Sequence, residues 1–311
     1  MSISDIKDDY LKRRRKEKVA RRLNKVNYSF AGGMGTLGPI AGVIANSQTQ
    51  LHNQLRTSLN YLSQQQQQLQ AQVNQLPAGD LSLRNAGVRL AWDSEQALLN
   101  LGGAGTRDWT TAQQQEILAH GKVSGGDIHG HHINNVADHP QLQARADNID
   151  FLTPSEHQRA HSGNWQNSTS GELYNRSWLM KKQVIGQEIA RLGSSVLIGG
   201  TIGFALSLFD QHLTWQQRLE YAGEGAKLGL FGYTGGRLSG MAMTTMAGSN
   251  ISEFAQMMGI GVGTSIAMSG YVFYQTKQRG GTNKRAFKAA GTNFGISLTG
   301  VFITSLAHSI W

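Results

Sequence analysis

Seven of the chain's ten histidines (His120, His129, His131, His132, His139, His157 and His161) fall between residues 120 and 161. Imidazole titrates near neutral pH, and its neutral form is a common nitrogen ligand for a divalent ion. The spacing narrows the chemistry. In "TPSEHQRAHSG" Thr153 can cap a helix, Pro154 suits its first position, and Glu156 completes a capping box with Thr153. On such a helix His157 and His161 stand four apart and project from one face, close enough to share one ion. Upstream, "GGDIHGHHINNV" places His131 beside His132 on an extended segment, where adjacent side chains point to opposite sides. One of the pair can then bind metal while the other faces a substrate. Between the two stretches, "NIDFLT" alternates Ile149 and Phe151 with polar residues, the pattern of a short half-buried strand. The chain has no cysteine, so disulfides and thiolate metal sites are excluded and any ion must be held by His, Asp, Glu or Asn.

Taken together, "HH", Asn148, His157 and His161 resemble the HNH nuclease motif, the ββα-metal finger, and most of all its toxin branch of nuclease colicins and GHH-type polymorphic toxins. The resemblance covers residues 122 to 165, with weaker likeness from residue 87. It implies an endonuclease in which His131, His157 and His161 hold one divalent ion, with positions left open for a phosphate oxygen and water. It implies His132 as the general base that activates water for in-line attack on a phosphodiester. Asn148 would orient the loop that carries the base. His at 131, where the commonest family form has Asp, leaves the ion open among magnesium, manganese, zinc and nickel. DNA is the expected substrate, with RNA not excluded. Asp127, His129 and His139 are loop residues or partners that orient a ligand imidazole. Arg159, Lys122 and Arg145 are contacts to the nucleic-acid backbone or ordinary surface charge.

These residues need elements to hold them. "LAWDSEQALLNL" reads as a helix, "GGAGT" as a turn, and "DWTTAQQQEILAHGKV" as a second helix closed by Gly121. The expected class is α+β: a ββα-metal nuclease domain with flanking helices at 80–180. Before it lie a basic tail at 1–27 and, at 28–79, a glycine-rich apolar segment followed by a coiled-coil-like helix. After it, 181–311 is expected to be an all-α membrane bundle. The net charge of +9 favours a polyanionic partner, nucleic acid or an anionic membrane face. The charged first thirty residues lack the pattern of a secretory signal. In the glycine-rich stretch, Pro39 and the glycines argue against a stable helix. Leu55, Leu62, Leu69 and Leu76 recur every seven residues, with Leu59, Gln66 and Val73 four after the first three. That heptad run is either a dimerising coiled coil through 51–76 or an amphipathic helix packed on its own chain.

In the apolar half, 192–209, 254–274 and 289–311 are uncharged or nearly so and about long enough to span a bilayer. A fourth stretch, 228–248, carries Arg237, which is costly in hydrocarbon. Each region holds a Gly–xxx–Gly pair: Gly199/Gly203, Gly232/Gly236, Gly259/Gly263 and Gly291/Gly295. The basic loop "QTKQRGGTNKRAFK" should lie in the cytoplasm. The composite expectation is a multi-pass protein of the bacterial inner membrane with a cytoplasmic DNA endonuclease, serving anti-phage defence. Its rival is an antibacterial DNase toxin whose glycine-rich helices insert into a target membrane and whose producer is protected by an immunity protein. A third reading makes the histidines a structural metal finger on a membrane scaffold.

Overall fold

The computed structural model describes residues 37–77, 79–209, 211–247, 252–278 and 280–310. The basic tail at 1–27 and the start of the glycine-rich segment lie outside the described residues. Eight α-helices and one two-stranded sheet follow in order: α1 Leu37–Val73, α2 Leu81–Asn100, α3 Thr111–His120, β1 His129–His132, β2 Ile149–Leu152, α4 Pro154–Ala160, α5 Arg176–Ser207, α6 Trp215–Ala247, α7 Glu253–Gln278 and α8 Asn283–Ile310. A mostly helical chain with one small sheet agrees with the α+β expectation. Two compact units divide the chain, one of Leu51–Gln187 and one of the residues before and after it.

In the unit of Leu51–Gln187, α2 starts where Asp80 accepts from the backbone N–H groups of Ser82 and Leu83. A capping box of Thr110 and Gln113 starts α3, and Gly121 ends it in the left-handed conformation. β1 and β2 pair antiparallel, with His131 opposite Asp150 and His132 opposite Ile149. The inner face of the hairpin feeds a core in which Ile149 and Phe151, both fully buried, meet Leu90, Trp92, Trp109 and Ile117. Phe151 lies between two indoles, its ring centroid 3.9 Å from Trp92 and 5.9 Å from Trp109.

The heptad leucines of α1 turn inward. Leu55, Leu59 and Leu62 pack with Leu98, Leu101, Met180 and Val184, while Leu69 reaches the core beneath the hairpin. Gln66, the polar residue in the seam, donates to the Ala144 carbonyl at 3.2 Å and accepts from the Ala146 N–H at 3.0 Å. Of the two alternatives, the packing of Leu55, Leu59, Leu62 and Leu69 matches a helix packed on its own chain, while Leu76 is exposed. Pro39 does not break α1 because it lies in the first turn, where a missing N–H has no partner to lose.

In the other unit, glycines mark close helix approaches. A Cβ on Gly199 would come within 2.2 Å of the Gly225 carbonyl oxygen, and one on Gly203 within 2.3 Å of that of Tyr221. The pairs at 232/236 and 259/263 also meet neighbouring helices, whereas Gly291 and Gly295 face open space. Arg237, the charge that argued against 228–248 as a span, is paired: it donates to Glu188 at 2.9 Å and to the Thr49 hydroxyl at 2.7 Å. Among the described residues, one helix, Arg176–Ser207, is long and apolar enough to cross a membrane.

In the unit of Leu51–Gln187, α2 and the start of α5 are tied by a buried charge pair. Glu95, fully buried, accepts from the guanidinium of Arg176, from the Thr106 N–H at 2.8 Å and from Trp109 Nε1 at 2.9 Å. Removing one partner of such a pair leaves the other charged and dry, at about 3–5 kcal/mol. Arg176→Met is therefore expected to lower the unfolding free energy of this unit by about that much. Urea denaturation followed by tryptophan fluorescence measures it, and the added change Glu95→Leu should recover part of the loss.

Candidate metal centre

The hairpin and α4 bring three imidazoles together. One ring nitrogen from each of His131, His157 and His161 lies within 4.8 Å of the others, and no other group of three or more possible ligands occurs among the described residues. His131 is on β1, His157 is on α4, and His161 is the residue that caps the C-terminus of that helix. That helix has seven residues, too few to be stable alone. Its start is fixed by the capping box of Thr153 and Glu156 with Pro154 in the first turn, as the sequence implied. Arg107, which sequence reasoning did not single out, then clamps it. Its two terminal nitrogens donate to Glu156 at 2.8 and 3.2 Å, and one also reaches the Phe151 carbonyl at 3.1 Å. The Arg107 guanidinium and the Thr153 groups hold the Glu156 carboxyl at about 2, so it is a carboxylate at any physiological pH.

Two of the three imidazoles, His131 and His157, are pushed toward the neutral form that binds a metal. Burial first, then the neighbouring His157, His161 and His132, push His131 down to about 4. Burial and the nearby His161 and His129 also lower His157. His161 has its orientation set by the chain: its Nδ1–H donates to the Asn167 carbonyl at 2.8 Å, and the Asn167 side chain donates back to the His161 carbonyl at 2.9 Å. That bond leaves the His161 Nε2 lone pair free for an ion. The donor set fits one. Tetrahedral ligands with metal–nitrogen bonds of about 2.0–2.1 Å stand roughly 3.4 Å apart, a small closure from the spacing observed.

His132 faces the other side of β1 and is buried. Its Nε2 lies 2.9 Å from the Gln143 carbonyl oxygen, which has no proton to give, so Nε2 carries the hydrogen and Nδ1 keeps a lone pair. Burial lowers its pKa, the Gln143 carbonyl opposes that, and Arg84 adds to it. Asn148, fully buried, staples the loop that follows His132. Its Oδ1 accepts from the Asn134 backbone N–H at 2.9 Å and side chain at 3.1 Å, and its Nδ2 donates to the Asn134 carbonyl at 3.0 Å. Asn134, which sequence reasoning did not single out, also donates to the Gly171 carbonyl at 3.0 Å.

Gly130 explains its own identity. It lies opposite Phe151 in the hairpin, and a Cβ there would come within 2.6 Å of Val88 on α2. The strand carrying both histidines approaches the helix too closely for any other residue.

The comparisons with known proteins meet this geometry at one place. Residues 82–153 match the family described as GHH-signature-containing HNH/Endo VII superfamily nuclease toxins. That match takes in the hairpin and the helix α2 on which it packs. The matched GHH stretch contains Gly130, His131, His132 and Asn148 and ends at Thr153, so His157 and His161 join the site through the structure. Teneurin-4 of Homo sapiens is 40% identical over 73 residues, which is 24% of this chain and 3% of that protein. Teneurin-1 of Mus musculus is 38% identical over the same length, and Teneurin-m of Drosophila melanogaster 31% over 83 residues, or 27% of this chain. The chain spans about 3% of the length of these curated relatives. No solved structure matches the chain. The matched family is described as one of nuclease toxins, and the HNH/Endo VII superfamily to which it is assigned generally uses a divalent ion.

Other residues singled out in the sequence fall into three places. His129 joins the edge of the centre, its Nδ1 3.4 Å from that of His157. Arg159 is exposed on α4, two residues from His157 and so about 200° around the helix from the ligand face. Lys122 lines a cavity of about 500 Å³ with Tyr61, Arg89, Asp93 and His120, apart from the three imidazoles. Asp127 and His139 are not among the grouped ligands.

Asn148→Ala should cost about 1–3 kcal/mol, because it strands the buried amide groups of Asn134. Thermal unfolding reads that loss. His161→Ala should weaken zinc binding at least 100-fold by calorimetry while moving the unfolding midpoint little, because α4 is held from its other end.

Proposed function

We propose that the unit around the hairpin is a DNA endonuclease that hydrolyses phosphodiester bonds with one divalent ion held by His131, His157 and His161. A single observation carries the reading: three imidazoles converge on one point, and the next residue along the strand, His132, has its Nδ1 lone pair freed by the bond from Nε2–H to Gln143. A structural metal finger needs the first feature and has no use for the second.

When bound, the ion supplies charge neutralisation at the scissile phosphate and at the departing oxygen. The chain's residues do the rest. His132 Nδ1 takes a proton from water as the water oxygen bonds to phosphorus, and the bond from phosphorus to the 3′ oxygen breaks. The Gln143 carbonyl holds the imidazole in the required tautomer and stabilises the imidazolium that forms. Asn148 keeps the loop after His132 in register. An all-imidazole donor set favours zinc or nickel over manganese, and all three over magnesium, which prefers oxygen ligands.

The match of residues 82–153 to a family of nuclease toxins supports the effector reading of its biological role, in which an immunity protein would guard the producer. The apolar helix Arg176–Ser207 favours a second reading, a nuclease tethered at a bacterial inner membrane. Expression in a bacterial cytoplasm without neighbouring genes separates them: rapid loss of viability that needs His132 identifies an effector, and normal growth identifies a tethered defence enzyme.

Plasmid nicking by the full chain tests the chemistry. With zinc or nickel the wild type should relax and linearise supercoiled DNA, EDTA should abolish cutting, and His132→Ala should slow it by about 10²–10⁴-fold with metal affinity intact. A chain that binds the ion and cuts neither DNA nor RNA would leave only the structural finger.

A further inference from the structure

Beside the three imidazoles stands an aromatic ring that neither the motif nor the matched residues include. Trp165 lies on the turn after α4. Its ring centroid is 4.9 Å from that of His157, edge to face at 87°, and 5.7 Å from that of His161. One side of the indole is thus set by two of the ligands, yet the side chain is 54% exposed. Its remaining surface faces solvent beside the grouped imidazoles, where a planar ligand could stack on it.

The turn that presents Trp165 is heavily constrained. Ser162 has φ +51°, the sole positive φ at a residue other than glycine among the described residues, and Gly163 follows at +81°. The chain then folds back on α4 through the reciprocal bonds between His161 and Asn167. Asn164 adds two more, donating from its backbone to the His161 carbonyl at 3.1 Å and accepting from the Gln166 N–H at 3.1 Å. The same bonds that free a lone pair on His161 therefore fix where the indole stands. A mobile surface tryptophan would not be coupled to a ligand in this way.

We propose that Trp165 is a stacking platform for an unpaired nucleobase next to the scissile phosphate, so that the site prefers single-stranded or locally unpaired DNA. The proposal rests on the nuclease reading for its phosphate position and adds to it the state of the substrate. A base has a π-face whatever its identity, so stacking recognises single strands with little sequence selection. Inside a duplex the same face is already stacked on its neighbours, and the indole could reach it only by displacing them. Base–aromatic stacking is worth enough to make a difference of roughly 10-fold in affinity.

The test uses the full chain, Trp165→Ala and Trp165→Phe, each with zinc. Fluorescence anisotropy of a short labelled single strand and of its duplex measures binding in the presence of His132→Ala, which prevents cutting, and cleavage rates of both substrates are measured with His132 intact. Expected are wild-type preference for the single strand, about 10-fold weaker single-strand binding and cleavage for Trp165→Ala, recovery of most of this by Trp165→Phe, and unchanged duplex values and zinc affinity. Equal losses on both substrates accompanied by weaker zinc binding would overturn the proposal and make Trp165 a wall of the metal centre. Equal affinity of the wild type for the two substrates would also overturn it. If nothing is cut but Trp165 still governs single-strand binding, the nuclease reading fails and the stacking platform stands.

Discussion

A carboxylate buried without water must find every hydrogen bond inside the protein, and Glu95 does so by drawing four segments to one point. It sits on α2. Its oxygens take hydrogens from Thr106 and Trp109 in the following loop and from Arg176 at the start of α5. Arg176 in turn donates to the carbonyls of Ala146 at 3.2 Å and Ile149 at 2.8 Å, and its guanidinium lies 5.6 Å from the centre of the Phe151 ring. Ile149 is the residue opposite His132 in the hairpin. The position of His132 on β1 is thus tied, through one backbone pairing, to a buried charge pair on other elements. That pair lies partly beyond the residues matching the family, since Arg176 follows the match by more than twenty residues.

The metal centre is built on a small element made rigid from outside. The seven residues of α4 and the His161 that caps them carry two of the three grouped imidazoles, and a helix that short has little stability of its own. Arg107 fixes the first turn through Glu156, and the Asn167 fold-back fixes the last. On the strand side, Gly130 allows β1 to lie against Val88 on α2, and Asn148 with Asn134 holds the loop that leaves it. Each support acts on the backbone or on a single ring nitrogen, which is the level at which ligand geometry is decided.

Local signals explain why much of this was legible in the sequence. Thr153, Pro154 and Glu156 announce the helix start, Gly121 announces a helix end, and the alternation around Ile149 and Phe151 announces the strand; all depend on neighbours within four residues. The spacing of His157 and His161 belongs to the same class. What depends on partners far along the chain was not visible. Arg107 with Glu156, Glu95 with Arg176 and Asn134 with Gly171 join residues 37 to 81 positions apart, and no periodicity marks them. The heptad on α1 shows the converse: a repeat specifies an apolar face, and whether a second copy or the same chain covers it is decided by Leu98, Met180 and their neighbours.

The chemistry at the end of each cut strand tests the central claim most directly. Attack by water with His132 as base and departure of the 3′ oxygen must leave a 3′-hydroxyl and a 5′-phosphate, and in isotopically labelled water the new oxygen must appear on the 5′-phosphate. Finding those ends on DNA, with label incorporated once per cut, is the result the account predicts. Cutting confined to RNA and ending in a cyclic 2′,3′-phosphate would contradict it, because the 2′-hydroxyl and not water would then be the nucleophile.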